Sequence, residues 1–152
     1  MTEPAPAPPP LLVGVDFSEG ALAALLEGRR LAARMRLPVE VVHVHERLPS
    51  ESRPEDPAVD RWLAQADLAR DRLQIARGLP WVELARAAVA ARAFAIVIGS
   101  HGCSGVQPVE LGSTAARLGL VAPCPVIVVG PQARELAIAS ARLELLRLAW
   151  KC

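Results

Sequence analysis

Short apolar runs alternate with amphipathic stretches along most of the chain. Leu11–Val15 (LLVGV) and Ala95–Ile98 (AIVI) are continuous apolar runs of strand length, as expected of strands buried on both faces. Val39–His45 (VEVVHVH) is β-branched and partly alternating, Arg72–Ala76 (RLQIA) alternates, and Val126–Val129 (VIVV) completes the series. Helical patterns lie between these runs. Glu19–Arg36 is rich in Ala and Leu, with Leu22, Leu25, Leu26 and Leu31 near one face, Ser18 placed to cap it and Pro38 to close it. Ala58–Arg70 carries Val59, Trp62, Leu63 and Ala66 at helical spacing. Pro80 suits the first turn of a helix running to Arg92, and a fourth helix is predicted over Ser113–Leu120. Strands alternating with helices predict an α/β fold with a parallel sheet covered on both faces.

Three segments fall outside this alternation. Met1–Pro10 (MTEPAPAPPP) is proline-rich without apolar periodicity and reads as a disordered or polyproline-like leader. Leu48–Pro57 is polar and proline-rich, a surface loop. Residues 131–152 place Leu136, Ala139, Leu143, Leu146 and Trp150 at three-four spacing. That pattern predicts an additional amphipathic helix, packed on its own domain or serving a dimer or partner contact. Residues 11–130 then form the single folded domain expected of a 152-residue chain.

Composition narrows the function. No apolar run approaches the roughly 20 residues that cross a bilayer, and no basic region followed by an apolar core begins the chain. A soluble protein is expected. Cys103, Cys124 and Cys152 show neither metal nor disulfide spacing, so a reducing cytoplasm is the default compartment. A net charge of +1 and 3% aromatic residues give no general attraction to nucleic acid or membrane. Every basic residue is arginine except Lys151, which leaves no lysine inside the fold for a Walker-type loop or a Schiff base.

The candidate chemistry sits in Ala95–Val129. Gly99-x-x-Gly102 is followed after nine residues by Gly112-Ser113, where a helix opens. Glycine lets backbone N–H groups approach a phosphate, and a helix N-terminus offers unpaired N–H groups and a positive dipole end. Local physics fits an anion cradle and an ordinary strand–turn–helix connection equally.

Val15-Asp16-Phe17-Ser18 after the first strand, His43-Val44-His45 in the second, Gly99-x2-Gly102-x9-Gly112-Ser113, and Ala122-Pro-Cys-Pro-Val-Ile-Val-Val129 together resemble the universal stress protein family over Leu11–Val129, in its ATP-binding form. The resemblance implies a three-layer, open, parallel five-stranded sheet in the order 3-2-1-4-5, of the adenine nucleotide alpha hydrolase-like (Rossmann-like) kind. It also implies a homodimer formed through the fifth strand; the C-terminal segment is a second candidate contact on the ground of its own apolar stripe. With that order, Asp16 and Gly99 border one crevice at the topological switch point. By the same resemblance, Gly14 and Asp16 would meet adenine or ribose, and Val44 would wall the adenine. Gly99, Ser100, His101, Gly102, Cys103, Ser104 and Gly105 would wrap ribose and phosphates. Gly112, Ser113, Thr114 and Ala115 would close on the phosphates, with Mg²⁺ held through them.

The residues themselves admit other roles. Asp16 fits a turn cap as well as a ligand, Val44 fits the core, and His101 fits a structural place in its loop. His43 and His45 share a strand face, but no third metal ligand accompanies them. Nothing orders serine, histidine and aspartate as a triad. Two departures from the family pattern bear on affinity: Cys103 stands where ATP-binding relatives commonly carry Arg or Lys, and Glu110 precedes Gly112. Arg117 or Mg²⁺ are the candidates to replace the missing countercharge. The sequence therefore supports an ATP-binding regulatory protein with little or no hydrolysis, a dimeric scaffold of the same fold without nucleotide, and, less well, a slow ATP hydrolase using Asp16.

Overall fold

A computed structural model of the chain describes residues 6–46, 56–102, 111–131 and 133. Five strands, β1 (Leu11–Val15), β2 (Val39–His45), β3 (Leu73–Arg77), β4 (Ala95–Gly99) and β5 (Val126–Val129), form one sheet in the order β3-β2-β1-β4-β5. All four pairings are parallel, and Leu11 lies opposite Val39 on one side and Ala95 on the other. The α/β class and the strand order both match the expectation. The helices are α1 (Glu19–Met35), α2 (Pro57–Gln65), α3 (Pro80–Ala91) and α4 (Ser113–Val121).

The apolar run of β1 is explained by burial on both faces. Leu11 and Val13 join Leu25, Ala32, Trp62 and Val97 in a core layer beneath α1 and α2. Leu12 joins Val42, Leu84, Ile96 and Leu118 in the layer beneath α3 and α4. Alternate strand residues point to opposite faces, so a strand covered twice must be apolar at every position. The edge strands are less demanding: Ile75 of β3 and Val128 of β5 are exposed.

Helix ends show where tertiary contacts override pattern. α1 stops at Met35, because Arg36 turns left-handed (φ 57°) and its N–H reaches back to the carbonyls of Ala32 and Ala33. Arg92 closes α3 in the same way (φ 51°). α2 is shorter than the helix expected over Ala58–Arg70. Asp67 is left-handed (φ 48°), and the Leu68 N–H bonds to the Leu63 carbonyl. The Arg29 guanidinium of α1 donates to the Ala66 and Asp67 carbonyls, satisfying the end of the helix from outside it. A 3₁₀ turn at Arg70–Arg72 then leads into β3. The leader as far as Ala5 and the amphipathic pattern from Arg134 onward lie outside the described residues.

Candidate functional site

The chain leaves β1 outward through β2 and β3, then crosses to β4 and β5 on the other side. Connections at the carboxyl ends of β1 and β4 therefore diverge, and a crevice opens between them. A cavity of about 530 Å³ lies there. Its mouth is built from three turns.

The first turn follows β1. Asp16 Oδ1 accepts from the Ser18 N–H (3.1 Å) and from the Ser18 hydroxyl (2.5 Å). The Ser18 oxygen in turn accepts from the Ala21 N–H at 3.1 Å, which caps α1. Asp16 is thus a turn residue through one oxygen, while its other oxygen faces Gly102. Phe17 takes a left-handed conformation (φ 63°), unusual for a residue with a Cβ. Its ring is held against His43 (centroids 4.4 Å) and edge-on to Trp62 (5.4 Å). His43 is buried, with Nδ1 2.9 Å from the Val15 carbonyl oxygen, and the Trp62 indole N–H donates to the Ser18 carbonyl at 2.9 Å. A carbonyl can only accept, so His43 Nδ1 carries the proton in this bond.

The second turn follows β4. The Ser100 N–H bonds to the Val129 carbonyl, continuing the ladder by one residue, and the Ser100 carbonyl accepts from the Gly112 N–H at 2.8 Å. That bond brings the two ends of the glycine motif together. The Ser100 hydroxyl and His101 Nδ1 are 2.8 Å apart. A Cβ on Gly99 would lie 2.9 Å from the Gly20 backbone, and one on Gly20 would lie 2.6 Å from the His101 carbonyl oxygen. Backbone meets backbone where the loop docks on the first turn of α1, and only glycine permits that approach.

The third turn is the start of α4, where Gly112 is the N-cap and contributes no side-chain acceptor. Helix N-termini of this kind present first-turn N–H groups and the positive end of the dipole to an anion. Ser113, Thr114 and Ala115 line the cavity at this point.

Of the residues singled out from sequence, Gly14, Asp16 and Val44 line the cavity, as do Gly99, Ser100, His101, Gly102 and Gly112. Cys103, Ser104 and Gly105 lie outside the described residues. The structure adds Val15, Phe17, Val42 and Ile98 to the walls, and Pro80 and Leu84 from α3. The added strand residues are apolar positions indistinguishable from core in the sequence. Glu46 and His43 also line it, and neither carried a signal for that role. The His43 and His45 rings are 6.4 Å apart, and among the described residues no group of three His, Cys, Asp or Glu side chains could hold a metal ion. Cys124 is remote in character: burial raises its thiol pKa, only partly offset by a backbone hydrogen bond, so the inert thiol form is favoured. No helix among the described residues is long and apolar enough to cross a membrane.

Solved universal stress proteins share this architecture. One from Lactobacillus plantarum is 25% identical with a TM-score of 0.62, covering 82% of this chain and 99% of that one. One from Archaeoglobus fulgidus is 27% identical with a TM-score of 0.56, covering 80% and 93%. A third, solved in complex with cAMP, is 21% identical with a TM-score of 0.61, covering 83% and 99%. Universal stress protein Rv2028c of Mycobacterium tuberculosis is 32% identical over 145 residues, covering 82% of this chain. The chain spans about half the length of that curated relative, 49%. The family model for universal stress proteins matches residues 9–130. With that match laid over the β3-β2-β1-β4-β5 sheet and its crevice, the chain belongs to the universal stress protein family.

Proposed function

We propose that this chain is a regulatory protein that binds an adenine nucleotide in the crevice between β1 and β4, taking ATP together with Mg²⁺, and acts as a dimer with little or no hydrolysis. The observation that carries the reading is the convergence of the Asp16 turn, the Gly99–Gly102 turn and the start of α4 on one cavity of about 530 Å³. The size suits a nucleotide. Val15, Val42, Val44, Leu84 and Ile98 give an apolar bed for a base, while the α4 N-terminus suits a phosphate. The cAMP complex of a solved relative supports a nucleotide as the ligand class. Mg²⁺ fits as a companion of the phosphates, since the described residues offer no cage of their own for it. It would supply charge neutralisation there, and Ser113 and Thr114 at the same pole offer hydroxyl oxygens.

Calorimetric titration with ATP, ADP and AMP, with and without Mg²⁺, tests the reading. Micromolar binding of at least one of them is expected. No heat and no thermal shift with any of the three would leave the scaffold reading, which the engagement of Asp16 Oδ1 by Ser18 favours. Rapid, Asp16-dependent turnover of ATP would favour a hydrolase instead.

The dimer is proposed through β5. This strand is at the sheet edge, with Val128 exposed and Val126 and Ile127 half-buried, an apolar edge that another strand would cover. Val128→Lys should convert a dimer to a monomer by light scattering, with the fold retained by circular dichroism. A dimer that survives this change but not truncation after Gly130 would place the contact in the C-terminal segment.

A further inference from the structure

We propose that Arg117 and Trp81 form a positioning pair: the guanidinium laid on the indole ties α4 to α3 and so holds the α4 N-terminus at the phosphate end of the cavity. The inference rests on the nucleotide reading above and names the contact that aims one wall of that site. In the sequence Arg117 was a candidate phosphate countercharge. In the fold its Cζ lies 5.7 Å from the centroid of the Trp81 ring, a cation–π arrangement, and neither residue is among those lining the cavity. Their neighbours are. Trp81 lies on α3 between the lining residues Pro80 and Leu84, and Arg117 follows the lining residues Ser113, Thr114 and Ala115 within one turn of α4. The pair therefore bridges two helices whose first turns both wall the cavity.

α4 is a helix that needs such a tie. It has 9 residues, too few to be stable alone, and carries Gly119 in its interior, where glycine is a poor helix former. Its N-cap, Gly112, supplies no side-chain acceptor, and among the described residues no α4 side chain makes a hydrogen bond or an ion pair. The side chains it buries, Ala115 and Leu118, meet Leu84 and Ala88 of α3 in one core layer. Apolar contact is non-directional, so this layer holds α4 down without fixing how far it reaches along α3. The stacked guanidinium is directional and does fix it. Trp81 suits the part: its ring packs on the same layer, while its indole N–H is buried without a hydrogen-bond partner among the described residues, so the ring face is what the residue contributes. Were α4 to slide, the first-turn N–H groups at Ser113, Thr114 and Ala115 would leave the phosphate. The base would keep Val42, Val44 and Ile98, which stand on the strands.

Two measurements on the full chain test the pair. Hydrogen exchange without ligand reads α4 directly. In Arg117→Ala and in Trp81→Leu the amides of Ala116 and Ala122, bonded to the Gly112 and Leu118 carbonyls, should exchange about fivefold or more faster relative to the amides of β1 and β4. Calorimetry then compares adenosine with AMP and with ATP in Mg²⁺. Either variant should weaken the phosphate-bearing ligands by about fivefold or more and adenosine by less than about twofold. The double variant should lose no more than about twofold beyond the larger single loss, because the two residues make one contact, whereas independent losses would multiply to about 25-fold. Trp81→Phe, which keeps a smaller ring, should lose less than Trp81→Leu. A selective loss in Arg117→Ala with none in Trp81→Leu would overturn the inference by placing the guanidinium on the phosphates themselves. Equal losses for adenosine and the phosphorylated ligands, or unchanged exchange in α4, would overturn it as well and leave the nucleotide reading intact. If no ligand binds the unaltered chain, the nucleotide reading fails and the positioning role falls with it, even where α4 loosens.

Discussion

Gly102→Val is expected to weaken nucleotide binding by on the order of 100-fold, the effect that a misplacement of about 1 Å carries in a preorganised site. The φ of Gly102 is not in the left-handed region, so the constraint is space rather than conformation. A Cβ at this position would fall well inside contact distance of Asp16 Oδ2. Asp16 has little freedom to withdraw, because Oδ1 holds both the N–H and the hydroxyl of Ser18, and Ser18 caps α1. The loop has little freedom either, since Ser100 is tied to Val129 on one side and Gly112 on the other. Valine at 102 must therefore separate the β4 turn from the β1 turn, the two walls between which the ligand is proposed to sit. Calorimetry checks the affinity, and thermal melting checks the fold. Gly102→Ala, carrying only the Cβ, should give a smaller loss in the same direction. Unaltered affinity in the valine variant, with an unaltered melting curve, would show that this approach does not shape the site.

Trp62→Ala carries the largest expected stability effect. Trp62 is buried at 6% exposure in the α1/α2 core layer, where it packs edge-on to Phe17 and donates its indole N–H to the Ser18 carbonyl. Truncating a buried aromatic of this size costs about 3–5 kcal/mol. At about 2–4 °C per kcal/mol for a chain of this length, the melting temperature should fall by roughly 6–20 °C. Trp62→Phe separates the contributions. It keeps most of the packing, leaves the Ser18 carbonyl short of one donor, and should cost about 1–2 kcal/mol. Denaturant unfolding of the three proteins measures both differences. A loss under about 1 kcal/mol in the alanine variant would mean that α2 does not brace the β1 turn. Because Trp62 and His43 hold Phe17 in its left-handed conformation, the alanine variant should also loosen the crevice wall and lower nucleotide affinity.

What the sequence determined by itself is the alternation. Apolar runs at β1, β4 and β5 and alternating ones at β2 and β3, with helical patterns between them, identified the strands to within a residue or two, the central runs because a strand covered on both faces is apolar along its length. It also carried Gly99, Gly102 and Gly112, although their spacing alone fitted a turn as well as a cradle. The strand order came from resemblance to a family rather than from the pattern, since alternation alone does not say on which side of β1 each strand is laid.

Tertiary structure decided the rest, for one physical reason: the decisive contacts join residues far apart in the chain. α2 ends early because Arg29 of α1 satisfies the carbonyls of Ala66 and Asp67, which no pattern within Ala58–Arg70 could reveal. Phe17 is left-handed because His43 and Trp62 hold its ring, at a residue type that carries no local preference for that conformation. Glu46 and Leu84 carried no mark of a site in the sequence, and line the cavity because β2 and α3 are set beside β1. Asp16 fitted both a cap and a ligand in the sequence, with the crevice argument favouring the ligand. The fold gave one carboxylate oxygen to Ser18 and turned the other toward Gly102, at the mouth of the crevice.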